Sequence, residues 1–271
     1  MPSPPTARSR IKWLCFFINA NPRFAILYII HRILPKRIRY DVLYRRTGSL
    51  HSYMISKTAR IYTDFFHSVS FVDISLGFPY ELLGFDLKKG MKIVDVGAHH
   101  GIYSIKATMN GASGVVAIEP HPTNFKALKR NIAENRATSI IAVNAAVSDK
   151  DGNTLLFESP FSGQHSILPF LPAVFHGKAT QIPSYTLDTL LSQLQFDPDL
   201  LKIDCEGAEL LVLQGAKKLL TQPRDRKVIV EVHSHGGRDV ETCLAGFGFE
   251  TRTLFYHKPC VFAEKTGWRK S

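Results

Sequence analysis

The sequence is poor in several features that would define a class at once. It holds four cysteines in 271 residues (Cys15, Cys205, Cys243 and Cys260), and no two form a C-x-x-C pair. That argues against a disulfide scaffold and a tetrahedral zinc site and favours a reducing compartment. There is no long hydrophobic stretch. The longest uninterrupted apolar run is Phe24–Ile30, far short of the roughly 20 residues a transmembrane helix needs. There are no internal repeats, and no low-complexity tract beyond the Pro/Ser-rich first five residues. The first 60 residues carry one acid, Asp41, against 12 Lys and Arg. The rest of the chain holds 22 bases and 22 acids, so the whole net charge of +11 belongs to the N-terminal segment. Hydrophobic residues at 45% and charged residues at 21% are ordinary globular values and exclude a fully disordered chain.

Within that basic segment, Ile11–Leu34 mixes large apolar residues with cations. Trp13, Phe16, Phe17, Phe24, Ile26, Leu27 and Ile30 alternate with or lie between Arg8, Arg10, Lys12, Arg23, Arg32, Lys36, Arg37 and Arg39. Asn21-Pro22 is expected to break it into two short helices. Such helices suit a membrane interface, with the apolar face in the headgroup region and cations on anionic lipid through residues 8–39. A helical extension packed on the rest of the chain is the plainer alternative. A signal peptide fits less well, because no A-x-A site follows. Nucleic acid is disfavoured as a partner: no helix-turn-helix, RRM or zinc-finger pattern accompanies the charge. Residues 40–85 are less legible; Gly77–Tyr80 reads as a turn and Glu81–Leu83 as the opening of a short helix. The organisation expected is a helical segment at 1–60, a lead-in at 61–90 and a catalytic domain at 91–271.

From Met91 onward, apolar strands alternate with helical spacing. Strands are expected at 92–96, 115–118, 140–143, 155–157, 199–204, 227–232, 249–255 and 260–263. Helices are expected at 102–109, 121–135 (capped by Thr123), 208–220 and 238–245. Asp188 reads as a helix cap. Alternation of this kind means a doubly wound, mostly parallel sheet with helices on both faces, and the last two strands form an antiparallel edge hairpin. Residues 158–185 interrupt the pattern and read as a substrate-facing insertion or lid.

In such a sheet a ligand sits beyond the carboxyl ends of the strands. Gly97 and Gly101, in the turn after the first of these strands, would let a nucleotide approach the backbone. Glu119, ending the next strand, could accept both hydroxyls of a ribose. The turn is not G-x-G-x-x-G, so the dinucleotide fingerprint is absent. Asp95, inside the strand, would repel a pyrophosphate but suits a cationic ligand. The spacing D-x-G-x-x-x-G followed by Glu119-Pro120 therefore favours S-adenosylmethionine over NAD.

Three blocks carry a resemblance to a known family: Val94-Asp95-Val96-Gly97-Ala98-His99-His100-Gly101, Ala117-Ile118-Glu119-Pro120-His121-Pro122, and Leu201-Lys202-Ile203-Asp204-Cys205-Glu206-Gly207-Ala208-Glu209. With Thr186-Leu187-Asp188 and Val230-Glu231-Val232, they resemble the FkbM family of S-adenosylmethionine-dependent methyltransferases over roughly residues 80–235. The resemblance implies a class I methyltransferase (Rossmann-like) fold with a seven-stranded sheet. It also implies O-methylation of a hydroxyl on a sugar, glycolipid or natural product. His99-His100 departs from the asparagine and small or apolar residue common there.

The cofactor contacts expected are Asp95, Gly97, Ala98, Gly101, Glu119, Pro120, Ala145 and Asp204. The catalytic set is His233, Asp204 and Glu206, with His233 as general base because an imidazole titrates near neutrality. Glu209, Glu231 and His235 lie near the same strand ends. Asp204, Glu231 and His233 could also ligate Mg²⁺ or Mn²⁺, but strand-end carboxylates are common without metals, and none is assigned. His165 is a candidate substrate contact. Lys202 and Cys205 receive no role. The acceptor expected is a hydroxyl-bearing small molecule, glycan or glycolipid, and the location cytoplasmic, peripheral on an inner membrane face. Two other readings are an NAD-dependent oxidoreductase and a non-catalytic, membrane-recruited nucleotide-binding module.

Overall fold

A computed structural model describes residues 51–54, 59–63, 87–159, 162–169, 178–233, 237–255 and 259–267. The two short N-terminal helices, the Gly77–Tyr80 turn, the Glu81–Leu83 helix start and His235 lie outside these residues. Among the described residues no helix is long and apolar enough to cross a membrane.

Seven strands form the main sheet: β3 (Lys92–Val96), β4 (Gly114–Ile118), β5 (Ile140–Val143), β9 (Leu200–Ile203), β10 (Arg226–Glu231), β11 (Glu250–Phe255) and β12 (Pro259–Lys265). Their spatial order is β5-β4-β3-β9-β10-β12-β11. β3, β4, β5, β9 and β10 pair in parallel, whereas β12 runs antiparallel to both β10 and β11. The expected edge hairpin is thus present, but its last strand is not the edge: β12 is inserted between β10 and β11.

Parallel strands buried on both faces need apolar residues throughout, and β4 and β9 are buried at every position. The period of two then sorts side chains between two layers. Ile93 and Leu200 face a cluster with α1 (Ile102–Met109) and α2 (Pro122–Glu134), including Ile105 and Leu128. Val94, Val96, Leu201 and Ile203 face the opposite layer. That layer comprises α3 (Leu187–Gln193), α4 (Glu209–Gln214), α5 (Lys217–Thr221) and α6 (Gly237–Gly246). Each Val, Leu or Ile so buried contributes roughly 1.5–3 kcal/mol.

Three local expectations are corrected. The helix expected over 208–220 is two helices, α4 and α5, interrupted at Gly215-Ala216. A Cβ on Gly215 would overlap the carbonyl oxygen of Ser148, so a close backbone contact sits at the break. Thr123 does not cap α2; His121 occupies the N-cap without a side-chain bond, and Pro122 supplies the preset φ of the first turn. Asp188 is a cap, but of a neighbouring helix. Its two oxygens accept the backbone N–H groups of Lys218 (2.8 Å) and Leu219 (2.9 Å) at the start of α5, while Thr186 caps α3.

Two smaller sheets complete the described chain. β6 (Ala146–Val147), β7 (Gly152–Phe157) and β8 (Ala179–Tyr185) form one, so the end of the expected insertion is a regular strand. β1 (His51–Met54) pairs with β2 (Arg60–Thr63), so the helical character expected for 1–60 does not reach residues 51–54. Asn131 on α2 and Asn135 at its C-cap bond both the N–H and C=O groups of Tyr62 and Arg60, respectively. They thereby extend strand-like pairing from a helix surface.

Candidate active site

The turn after β3 is held from below by β4. The N–H groups of Gly97 and Ala98 both donate to the Ile118 carbonyl at 3.0 Å. Gly97 has φ +74°, and a Cβ there would overlap the backbone oxygen of Asp204. The glycine therefore lets the β3 turn press against the β9 turn. Gly101 similarly leaves space for the Leu128 side chain. Both glycines are required by the protein's own packing, a reason beyond the ligand approach expected of them.

Glu119 braces the same turn. Its Oε2 accepts the His99 N–H (2.8 Å), and its Oε1 accepts the His121 N–H (2.9 Å) and, more weakly, Asn124 Nδ2 (3.4 Å). Burial outweighs these donors and raises its pKa to about 7. Pro120 follows it, partly exposed, and Ala145 is buried just beyond β5.

Ser162 and His165 reach this turn and its histidines. His99 stacks on His100 with centroids 3.7 Å apart, and His121 on His165 at 3.8 Å. His99 Nε2 lies 3.1 Å from Ser162 Oγ, and Asn124 Nδ2 donates to the Ser162 carbonyl. Burial lowers the pKa of His99, His121 and His165, the last to about 4. These rings stay neutral near pH 7. His165 therefore does not project freely toward a substrate; it stacks on His121 and accepts the Ser159 N–H.

Asp95 and Lys202 stand opposite each other in the β3–β9 register. The ammonium of Lys202, buried at 3% exposure, lies 3.1 Å from Asp95 Oδ1, 3.2 Å from Asp204 Oδ2 and 3.4 Å from the Gly97 carbonyl. Burial alone would lower its pKa, but Asp95, Asp204 and Glu231 reverse that, so Lys202 remains a cation. Asp95 is fully buried, and its other oxygen accepts the Ser104 hydroxyl at 2.7 Å. The expected role of Asp95 as a direct cofactor contact is corrected: Lys202 and Ser104 hold its carboxylate inside the sheet. Lys202 was missed; the signal was a charge in the middle of each of two otherwise apolar strands.

On the other side of Asp204 lies His233. Its Nδ1 is 2.9 Å from Glu209 Oε1 and 3.1 Å from the Glu231 carbonyl. Its Nε2 is 3.1 Å from Glu206 Oε1, 3.4 Å from Asp204 Oδ1 and 3.7 Å from Glu231 Oε1. Glu206 is held in the left-handed region (φ +48°), and its carbonyl accepts the Ser166 hydroxyl at 2.7 Å, so residues 162–169 also touch this turn. The sequence brought Asp204, Glu206 and His233 forward as one set, and the fold places them together. The premise that His233 titrates near neutrality is corrected. Burial would lower its pKa, but Glu206, Glu209 and Asp204 overcome this and push it up to about 10. An imidazole that already holds two protons cannot act as a base.

This strand order, with an antiparallel strand inserted beside the parallel ones and acidic turns at their carboxyl ends, defines the class I methyltransferase fold. Residues 95–254 match the Methyltransferase FkbM domain family. The chain belongs to the FkbM family of S-adenosylmethionine-dependent methyltransferases. It is 29% identical over 211 residues to Methyltransferase sdnD of Sordaria araneosa, covering 66% of this chain and 81% of that relative. The FkbM methyltransferase structure from Methylobacillus flagellatus KT superposes with a TM-score of 0.52 at 17% identity. That alignment covers 93% of this chain and 60% of the other, so this chain spans about three fifths of that longer one.

Proposed function

We propose that the protein methylates a hydroxyl group of a sugar, glycolipid or related natural product. One observation carries the reading: Gly97 lets the β3 turn rest against the Asp204 carbonyl. The donor crevice and the Asp204–Glu206–His233 cluster are therefore immediate neighbours.

The residues present fit S-adenosylmethionine. Each Glu119 oxygen has two lone pairs, and the strong N–H donors occupy one on each, which leaves acceptors for ribose hydroxyls. On this reading Gly97, Ala98, Gly101, Pro120 and Ala145 are the further cofactor contacts. When bound, the cofactor supplies an electrophilic methyl group on a sulfonium. The chain supplies placement and a proton acceptor. With His233 protonated, the acceptor is one of the carboxylates around it rather than the imidazole. Lys202 fixes Asp204 from the opposite side. Ser162, His165 and Ser166 approach both turns, where they can exclude water and shape the acceptor pocket.

Residues 8–39 would bring the enzyme to an anionic membrane surface on the cytoplasmic side, at roughly 1 kcal/mol per cation near the lipid. That placement suits a lipid-linked acceptor. The test is mass spectrometry of glycans and lipids after incubation with methyl-labelled cofactor. One labelled methyl on a hydroxyl is expected. Label on nitrogen or carbon, or none on any hydroxyl acceptor, rejects the reading.

A further inference from the structure

His233 is only 6% exposed, yet its Nε2 has no well-formed hydrogen-bond partner, although three carboxylate oxygens lie 3.1–3.7 Å away. Its Nδ1 faces two groups that can only accept, Glu209 Oε1 and the Glu231 carbonyl, so Nδ1 carries a proton. A cation that displaces the second proton, the one on Nε2, would free that lone pair toward the space shared with Asp204 and Glu206. One donor atom from each of these three residues lies within 4.8 Å of the other two, the one such group among the described residues.

We propose that Asp204, Glu206 and His233 form a binding site for one divalent cation of the Mn²⁺/Mg²⁺ class. Neighbouring ligands of an octahedral ion with bonds near 2.1 Å stand about 3 Å apart. The Nε2 distances to Glu206 and Asp204, 3.1 and 3.4 Å, have that spacing. The charges agree. Asp95, Asp204, Glu206, Glu209 and Glu231 are five carboxylates around a single ammonium, Lys202, so a neutral His233 leaves a large negative surplus. A divalent ion offsets it where a second proton on His233 does so only in part. Two carboxylates with one imidazole suit a hard cation, and the nitrogen favours Mn²⁺ over Mg²⁺. Glu209 fills the outer position usual for a ligating histidine, fixing the ring through Nδ1–H.

The site's part in catalysis rests on the methyltransferase reading above. An acceptor hydroxyl bound to the ion would be acidified. Its O–H bond breaks with the proton passing to Glu231, which lies beside the triad. The oxygen then forms the new O–C bond as the C–S bond breaks, and the sulfonium becomes a neutral thioether.

The test uses the full chain, stripped with a chelator and titrated with MnCl₂ alone by calorimetry. One Mn²⁺ per chain is expected. Glu206→Gln should weaken it by about tenfold or more, whereas Glu250→Gln, on an exposed strand end, should leave it unchanged. Pulsed electron paramagnetic resonance of bound Mn²⁺ should show ¹⁴N coupling from one imidazole. No binding, equal binding by Glu206→Gln, or bound Mn²⁺ without nitrogen coupling overturns the site. S-adenosylmethionine is titrated into the same stripped protein. Cofactor binding without Mn²⁺ binding sinks the ion site alone, and Mn²⁺ binding without cofactor binding sinks the donor reading alone.

Discussion

Asp204 stands between two buried cationic side chains that are built to different ends. On one side, Lys202 sits among Asp95, Asp204 and the Gly97 carbonyl, each within 3.4 Å. On the other, His233 has Nδ1 satisfied and Nε2 surrounded by carboxylates without a well-formed hydrogen bond. The first centre is structural: one ammonium bridges two carboxylates and ties two strands and a turn together. The second is open, because the acids there outnumber what one imidazole can neutralise. Burial alone therefore does not mark a reactive centre; a convergence of acids on one imidazole does.

The contrast can be broken from either side. The largest effect should come from Lys202→Met, which leaves Asp95 buried without its cation. Urea unfolding should show a loss of about 3–5 kcal/mol, and a loss below 1 kcal/mol would mean the structural centre holds nothing together. Glu206→Gln should do the reverse. Turnover should fall by about 10²–10⁴-fold, while the unfolding midpoint stays near wild type, since one acid leaves a crowded cluster. Comparable stability losses in the two variants would erase the distinction.

A smaller effect is expected at Glu119. Glu119→Ala should weaken cofactor binding by about 1.5–3 kcal/mol, read by calorimetry. Its pH dependence has a definite sign. Burial raises the pKa from 4.5 to about 7, so in the free protein its contribution to stability is complete below pH 4.5 and is lost as pH rises through about 7. Ribose hydroxyls donate to the ionised form. Cofactor affinity should therefore move the opposite way, rising up to about tenfold per pH unit toward pH 7 and levelling above it. A flat profile in the wild type would remove Glu119 from the ribose. Least affected should be the chemistry itself on deletion of residues 1–39. Sedimentation with anionic liposomes should drop while turnover on a soluble acceptor holds, and equal sedimentation of both forms would reject membrane recruitment.

The strands and most helices of the sheet were legible because parallel strands covered on both faces are near-continuous apolar runs with glycine-bearing turns between them. The break at Gly215 was not, because its close neighbour Ser148 comes from a distant turn. The Asp204–Glu206–His233 set was legible from chemistry placed at strand ends. The pairing of Asp95 with Lys202 was not: it depends on the β3–β9 register, which no local pattern encodes. For the same reason Asp95 looked available to a ligand when it is committed to the sheet. The charge state of His233 was equally hidden, since it follows from four acids on one turn, the start of α4 and the end of β10 converging on one ring.

The inserted strand β12 has a consequence for biosynthesis. Until residues 259–265 emerge from the ribosome, β10 and β11 have no partner between them, and each presents a bare row of amides and carbonyls. Such edges invite pairing with other nascent chains. Completion of the sheet thus waits on its last strand, and a chain stopped between β11 and Pro259 would keep both bare edges and be prone to self-association.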